Sequence, residues 1–336
     1  MTNETKAKYH HLVPRTYMSA WAHGNGTLKV EFLNNPGIIC ERNKDKIAGI
    51  TNFHSITAGM PICTQADTDK IFACLQQYCV EHEGSKISDT LQMNKVYFDF
   101  DNWVITRADG SLVGKKQIRS EIGKVKIKDI EANWAEKYEN KWASEVAKIE
   151  NCILNCPNDH IAEFDREYLM KFFIALDWRG FSSNAQFEAT LKWLCNDIIP
   201  MNEVDIPEEE RILPGLQTAE EEMRHYLLLS YYRKYLNDSG IIYQQAMACL
   251  ARTSFHFLVA DGTKHFITSD SPSFVHKLEG QELVGLMPIT PRILMAQGRN
   301  SDQDGYYYIS HLGDEKVAEY NAAIRENAVE FIIHSW

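Results

Sequence analysis

The sequence lacks any apolar run near the roughly 18–20 residues that cross a bilayer. Its richest stretch, Tyr226–Tyr232, is short and is followed by Arg233 and Lys234. The opening residues, Met1–Lys8, are polar and carry no signal-peptide core. The expectation is therefore a cytoplasmic chain with no membrane partner. No Walker loop, Gly-x-Gly-x-x-Gly, Gly-x-Ser-x-Gly, His-Glu-x-x-His or calcium-loop pattern occurs, which excludes the readily labelled chemistries. No Cys-x-x-Cys pair occurs either. The eight cysteines read as free buried thiols; Cys152 and Cys156 share a helical spacing, but Pro157 follows at once. No metal ligand set is assigned. Gly (18) and Pro (10) are too few for a fibrous or low-complexity chain. The absence of regular strand–helix alternation argues against a doubly wound nucleotide fold, and there are no internal repeats.

What is present is a globular composition: 336 residues, 44% hydrophobic and 24% charged, enough apolar material to offset the entropy of ordering. The 35 basic and 46 acidic residues leave a net charge of −11, which speaks against a general DNA-coating protein. The charge is unevenly spread. Residues 203–222 hold eight acidic side chains against Arg211 and read as a linker or exposed loop. Lys115, Lys116, Arg119, Lys124, Lys126 and Lys128 form a basic stretch between Trp103 and Trp134.

The hydropathy pattern predicts an α+β fold: β-rich segments at both chain ends forming a shared sheet, with a helical middle region. One unit spans 1–336, with a β-rich element over 9–64, a mainly helical part over 65–252 and an α+β part over 253–336. Pro14 opens a short helix carrying Tyr17, Met18 and Trp21. His23-Gly-Asn-Gly is a turn before a strand at Thr27–Leu33. Helices are expected at 66–81, from about 130 (with Trp134, Tyr138, Trp142, Val146 and Ile149 on one stripe), and at 165–178, 186–197, 218–237 and 241–251. Thr218 and Glu221 make a capping box. Lys124, Lys126 and Lys128 alternate with apolar residues, as in an extended segment. Asp261-Gly262 between Phe255–Val259 and His265–Thr268 predicts a hairpin. Strands follow at Leu283–Ile289 and Tyr306–Ser310, then a helix from Asp314 and a closing strand at Val329–Ile333.

Five constellations have chemical potential, each beside a plainer structural alternative. His10-His11 precedes Leu12-Val13-Pro14; an imidazole there can serve as general base or ligand, or simply bond nearby backbone. Ser269-Asp270-Ser271-Pro272 follows an apolar strand; Asp270 can orient a histidine, bind a divalent metal or act as a base, or it can form an Asx turn. Pro288-Ile289-Thr290-Pro291 shapes a bend into Arg292, a candidate anion clamp. Arg179 ends an apolar helix, where it either answers the helix dipole or projects into a cleft. The basic stretch 115–128 either follows a phosphate backbone or forms a solvated face.

Taken together in order, His10-His11-Leu12-Val13-Pro14-Arg15-Thr16-Tyr17-Met18, the run Phe172–Arg179, Ile267–Pro272, Met287–Pro291 and Asn321 resemble the bacterial family called domain of unknown function 4238. Met18, Trp21 and Asp177-Trp178-Arg179-Gly180 depart from its commoner residues. The resemblance implies a core in which the N-terminal His, the central Arg and the Ser-Asp loop converge, and a defence-type setting. The resulting expectation is a hydrolase of a phosphodiester or nucleotide, with His11 as acid or base (His10 and Ser269 beside it), Asp270 orienting it or holding a divalent metal, and Arg179 or Arg292 stabilising negative charge. The alternative is a non-enzymatic module that binds nucleic acid or protein through Lys115, Lys116, Arg119, Lys124, Lys126 and Lys128.

Overall fold

In the computed structural model, residues 9–155, 162–180, 204–208, 211–277, 283–299 and 307–336 are described. In chain order the strands are β1 (Tyr9–His11), β2 (Thr27–Phe32), β3 (Ile39–Asn43), β4 (Gly49–Thr51), β5 (Cys79–His82), β6 (Ser85–Ile87), β7 (Val104–Thr106), β8 (Thr253–Ala260), β9 (Thr268–Ser269), β10 (Phe274–Lys277), β11 (Leu283–Thr290), β12 (Ile293–Arg299), β13 (Tyr307–Leu312) and β14 (Phe331–His334). The helices are α1 (Arg15–Met18), α2 (Gln65–Ile71), α3 (Thr90–Lys95), α4 (Lys115–Lys124), α5 (Asp129–Trp134), α6 (Asn140–Leu154), α7 (Arg166–Arg179), α8 (Ala219–Leu236), α9 (Gly240–Leu250) and α10 (Asp314–Asn327). The fold is α+β, as the patterning predicts.

The chain divides into two compact units. The larger takes the described residues of 7–51, 133–200 and 234–336. Here the two chain ends do meet in one sheet, of order β3-β2-β14-β9, with β14 antiparallel to β2. A second sheet runs β10-β11-β12-β8-β13, antiparallel except for β13 beside β8. Phe266, Leu286, Leu294, Val317, Ile324 and Ile332 pack together as a core from these strands and α10. Each such side chain contributes about 1.5–3 kcal/mol on full burial. Helix α7 buries Tyr168, Leu169, Met170 and Phe172–Leu176, so it is apolar nearly all round, as a helix inside a core must be. Trp142 of α6 stacks on its Phe172 at 4.2 Å.

The smaller unit takes the described residues of 52–132 and 201–233. It holds a β6-β5-β7 sheet and helices α2 to α4. Arg233 ties it together internally, bonding Asp67 through both Nη atoms (2.7 and 3.1 Å) and Asp129 through Nε (2.9 Å).

Two local expectations are corrected, the helix over 66–81 and the hairpin at Asp261-Gly262. The helix expected over 66–81 ends at Ile71, and Cys79–His82 is strand, because Val80 pairs with Ile87 and Ile105 on its two sides. The extended segment expected at Lys124, Lys126 and Lys128 is found past Lys124, where Ile127 bridges to Ile56; ahead of it Lys115–Lys124 is helical, since Ile118 and Ile122, four apart, are its buried residues. Asp261-Gly262 is not a hairpin turn. Strand β8 pairs with β12 and β13, while Thr268-Ser269 joins β14 in the other sheet. The loop closes instead on Asp314, which accepts from Thr263 Oγ1 and the Lys264 amide at 2.8 Å each. Asp314 lies so close that a Cβ on Gly262 would meet its carboxylate at 2.1 Å. The stretch 203–222 is a loop up to the start of α8 in its described part, as expected, and it folds back on itself, with Ile206 N–H donating to Gln217 O at 2.8 Å. The helix expected at 186–197, with Cys156 and Cys195, lies outside the described residues.

Candidate functional site

The sequence motifs of the larger unit meet around Tyr17. Its fully buried hydroxyl donates to the Pro288 carbonyl at 2.6 Å and lies 2.9 Å from Thr268 Oγ1. With its one proton given to Pro288, it accepts from Thr268. Burial pushes the phenol far above its ordinary value and keeps it neutral. Pro288 is suited to this role: β11 shifts register between Pro288 and Thr290, where the prolines break the ladder. Trp21 Nε1 donates to Phe266 O at 3.0 Å. The ring of Tyr17 also packs against Trp142 at 5.7 Å.

The Ser-Asp loop is held just as firmly. Ser269 and Asp270 are fully buried. Asp270 Oδ1 accepts from Val329 N–H (3.0 Å), and Oδ2 from Glu330 (2.5 Å) and Phe331 (3.3 Å). Burial raises its pKa, against the pull of those three amides. Ser269 Oγ accepts from the Ser271 amide at 3.1 Å. The end of α7 abuts this loop: a Cβ on Gly180 would sit 3.5 Å from Ser271 Oγ and 3.6 Å from Asp270 O. Arg179, 2% exposed, pairs with Glu139 at 2.9 Å and lies 4.8 Å over the Trp134 ring. His10 is fully buried on β1 opposite Ile50; half-buried His11 meets Tyr9 edge-on at 5.0 Å.

Beside this braced core, the larger unit opens a cleft of about 590 Å³. Its wall includes Thr16, Trp21, His23, Glu150, His265, Arg292 and Trp336. The exposed Trp336 indole lies 4.9 Å from the His23 ring, with Lys29 Nζ 4.5 Å above it. His265 Nδ1 lies 3.2 Å from Ser335 Oγ. Asn321 clamps the backbone on either side of Phe266: its Oδ1 accepts from Ile267 N–H at 3.0 Å and its Nδ2 donates to His265 O at 2.8 Å. Arg292 is exposed, and its amide donates to Thr290 Oγ1 at 3.2 Å. Thr16 Oγ1 is buried and makes no hydrogen bond among the described residues. The cleft thus carries imidazole, guanidinium and indole in one wall.

The basic stretch lies in the smaller unit. Lys115 Nζ donates to Asp101 O at 2.5 Å; Arg119 pairs with Asp101 at 2.8 Å and covers Phe100 at 4.9 Å. Lys116 and Lys124, with Glu121 between them, line a shallow depression on α4. Lys126 and Lys128 are half-buried beyond it. The stretch therefore does not present six free cations on one face.

Residues 9–335 match the family model described as protein of unknown function (DUF4238). The chain belongs to this family. Comparison with curated proteins gives no match, and neither does comparison with solved structures. In this DUF4238 chain the N-terminal, Ser-Asp, Pro-x-Thr-Pro and Asn321 motifs supply mutual braces, and the cleft is built on their outer side. Arg292 is the sequence-predicted residue that lines it. His23, His265, Glu150 and Trp336 were not among the sequence candidates. The signal that points to His265 is its place between the Asp-Gly loop and the Ser-Asp strand; His23 sits in the marked Gly-Asn-Gly turn.

Proposed function

We propose that this protein is a hydrolase of a nucleotide or phosphodiester and that its chemistry takes place in the cleft of the larger unit. The observation that carries the reading is the shared wall of His23, His265, Arg292 and Trp336. An exposed indole next to an imidazole suits a stacked base. A guanidinium suits the phosphate and the charge that builds on it. Imidazole is the side chain that most readily exchanges protons near neutral pH. In this reading one histidine takes a proton from water as its oxygen attacks phosphorus. The other gives a proton to the departing oxygen, so the P–O bond to the leaving group breaks as the new one forms. Asp270, Ser269, Arg179 and His10 hold the scaffold, and His11 stays outside the proton transfers.

The test is product formation from a panel of nucleotides and short RNA and DNA strands. Replacing His23 or His265 by Ala is expected to slow turnover about 100-fold or more, the ordinary loss for an acid–base group. No turnover by the wild type on any member of the panel contradicts the reading. A second reading, nucleic-acid binding at Lys116 and Lys124, is favoured by their exposure on α4. It predicts RNA or DNA affinity that falls steeply with salt and is lost on charge reversal at both.

A further inference from the structure

Helix α6 brings one more chemical group to the cleft of the larger unit. Trp142, Val146 and Glu150 all line the cleft. They stand four residues apart and so form one stripe along the helix. Trp142 is buried, Val146 half-buried and Glu150 exposed, so the stripe climbs from the floor of the cleft to its mouth. At the rise of an α-helix that climb is about 12 Å. Trp336, His23 and Arg292 are exposed in the same wall. The mouth therefore gathers an indole, an imidazole, a guanidinium and a carboxylate around a space of about 590 Å³, a size that takes one nucleotide.

Glu150 is the one acidic side chain among the described residues that line the cleft. It makes no hydrogen bond or ion pair with any described residue. Glu145 of the same helix is different: it is buried, and it bonds Lys148 Nζ (2.6 Å) and the Asp165 amide (2.9 Å). The Arg292 side chain is likewise unengaged among the described residues. Opposite charges that line one cleft without pairing with each other suit different parts of one ligand. An ionised carboxylate only accepts hydrogen bonds, and its two oxygens match two donors side by side. It repels phosphate, so it meets the part of a nucleotide furthest from the phosphate that Arg292 takes, the Watson–Crick edge of the base. Guanine presents two adjacent donors there, N1–H and the 2-amino group. Adenine and cytosine set a bare ring nitrogen beside their amino group, and uracil and thymine flank their one N–H with carbonyls. Each of these turns an acceptor towards the carboxylate.

We propose that the cleft is selective for guanine nucleotides, with Glu150 accepting from N1–H and the 2-amino group. Trp336 and His23 stack the base and Arg292 holds phosphate; the assignment rests on the nucleotide reading of the cleft given above. Its test is calorimetric titration of the full chain with the α,β-methylene diphosphates of guanosine and adenosine, whose P–C–P bonds resist hydrolysis. The expected result is an affinity for the guanosine ligand about tenfold or more above that for the adenosine ligand, the ordinary worth of a bidentate base contact. Glu150→Gln, at an exposed position, keeps the fold by circular dichroism and brings the two affinities together, because the amide sets a donor beside its one acceptor oxygen. Arg292→Ala weakens both ligands alike and leaves their ratio standing. Equal binding of the two by the wild type, or a guanosine preference that survives Glu150→Gln, overturns the guanine assignment and leaves the nucleotide reading intact. An equal loss of both ligands in Glu150→Gln puts the carboxylate on the ribose and overturns the assignment too. Binding of neither ligand overturns the assignment and the nucleotide reading together.

Discussion

The Tyr17 hydroxyl donates to the carbonyl of Pro288, 271 positions away, and so joins the N-terminal motif to the bulged strand β11. Thr268 of the Ser-Asp strand meets the same oxygen. Tyr17→Phe keeps the ring packing and strands two buried acceptor and donor groups. It is expected to cost about 1–3 kcal/mol of stability. Urea unfolding measures this, with the slope of the transition unchanged.

Asp270 accepts three backbone N–H groups from the segment leading into β14. Asp270→Asn replaces an acceptor oxygen by an NH₂ group that faces a donor. The expected loss is about 1–3 kcal/mol in chemical denaturation, with ligand affinity in the cleft retained. A loss of turnover at full stability would instead restore Asp270 to a catalytic role.

Glu31 predicts the acid limb of stability. Arg325 grips it bidentately at 2.9 and 2.8 Å, and His334 Nε2 and the Gly37 amide add to the cluster. Its hydrogen bonds to Arg325, more than any other cause, hold the carboxyl far below its ordinary value of 4.5. A depressed carboxylate contributes stability that is complete above the unfolded value and fades as pH falls through the folded one. The melting temperature should therefore fall progressively below about pH 4.5. In Glu31→Gln the melting temperature should be lower at pH 7, and its decline towards low pH should be shallower.

Arg292 is exposed, so its removal leaves the fold intact. Arg292→Ala is expected to shift the melting temperature little and to weaken binding of an anionic ligand by about 1.5–3 kcal/mol, the worth of a charge-assisted hydrogen bond. Calorimetric titration with a nucleotide against wild type and variant measures it.

Much of the architecture is legible in the sequence because it is written in periodicity. The all-round apolar α7, the Pro14 helix start, the Thr218–Glu221 box and the meeting of both chain ends in one sheet follow from residue patterns. The Asp-Gly loop misleads because local turn chemistry is silent on which strand comes next; Asp314, some 50 positions on, decides that. The alternation at 124–128 is legible as an extended segment, with Ile127 bridged to Ile56, whereas the basic stretch misleads as one cationic face because Lys115 and Arg119 are engaged by Asp101. The motif residues are legible as special, and the reason is structural: Tyr17, Asp270 and Asn321 each satisfy buried backbone groups. The cleft is illegible because His23, His265 and Trp336 share no sequence motif and come together only when β2, the Asp-Gly loop and β14 are in place.

The most direct test compares His265→Ala with Asp270→Asn at matched fraction folded, assaying release of product from a nucleotide or short RNA. If the chemistry lies in the cleft, His265→Ala loses about 100-fold or more in turnover, and Asp270→Asn keeps the wild-type rate. The opposite pattern, an active His265→Ala and an inactive but folded Asp270→Asn, would contradict the account and return the chemistry to the Ser-Asp loop.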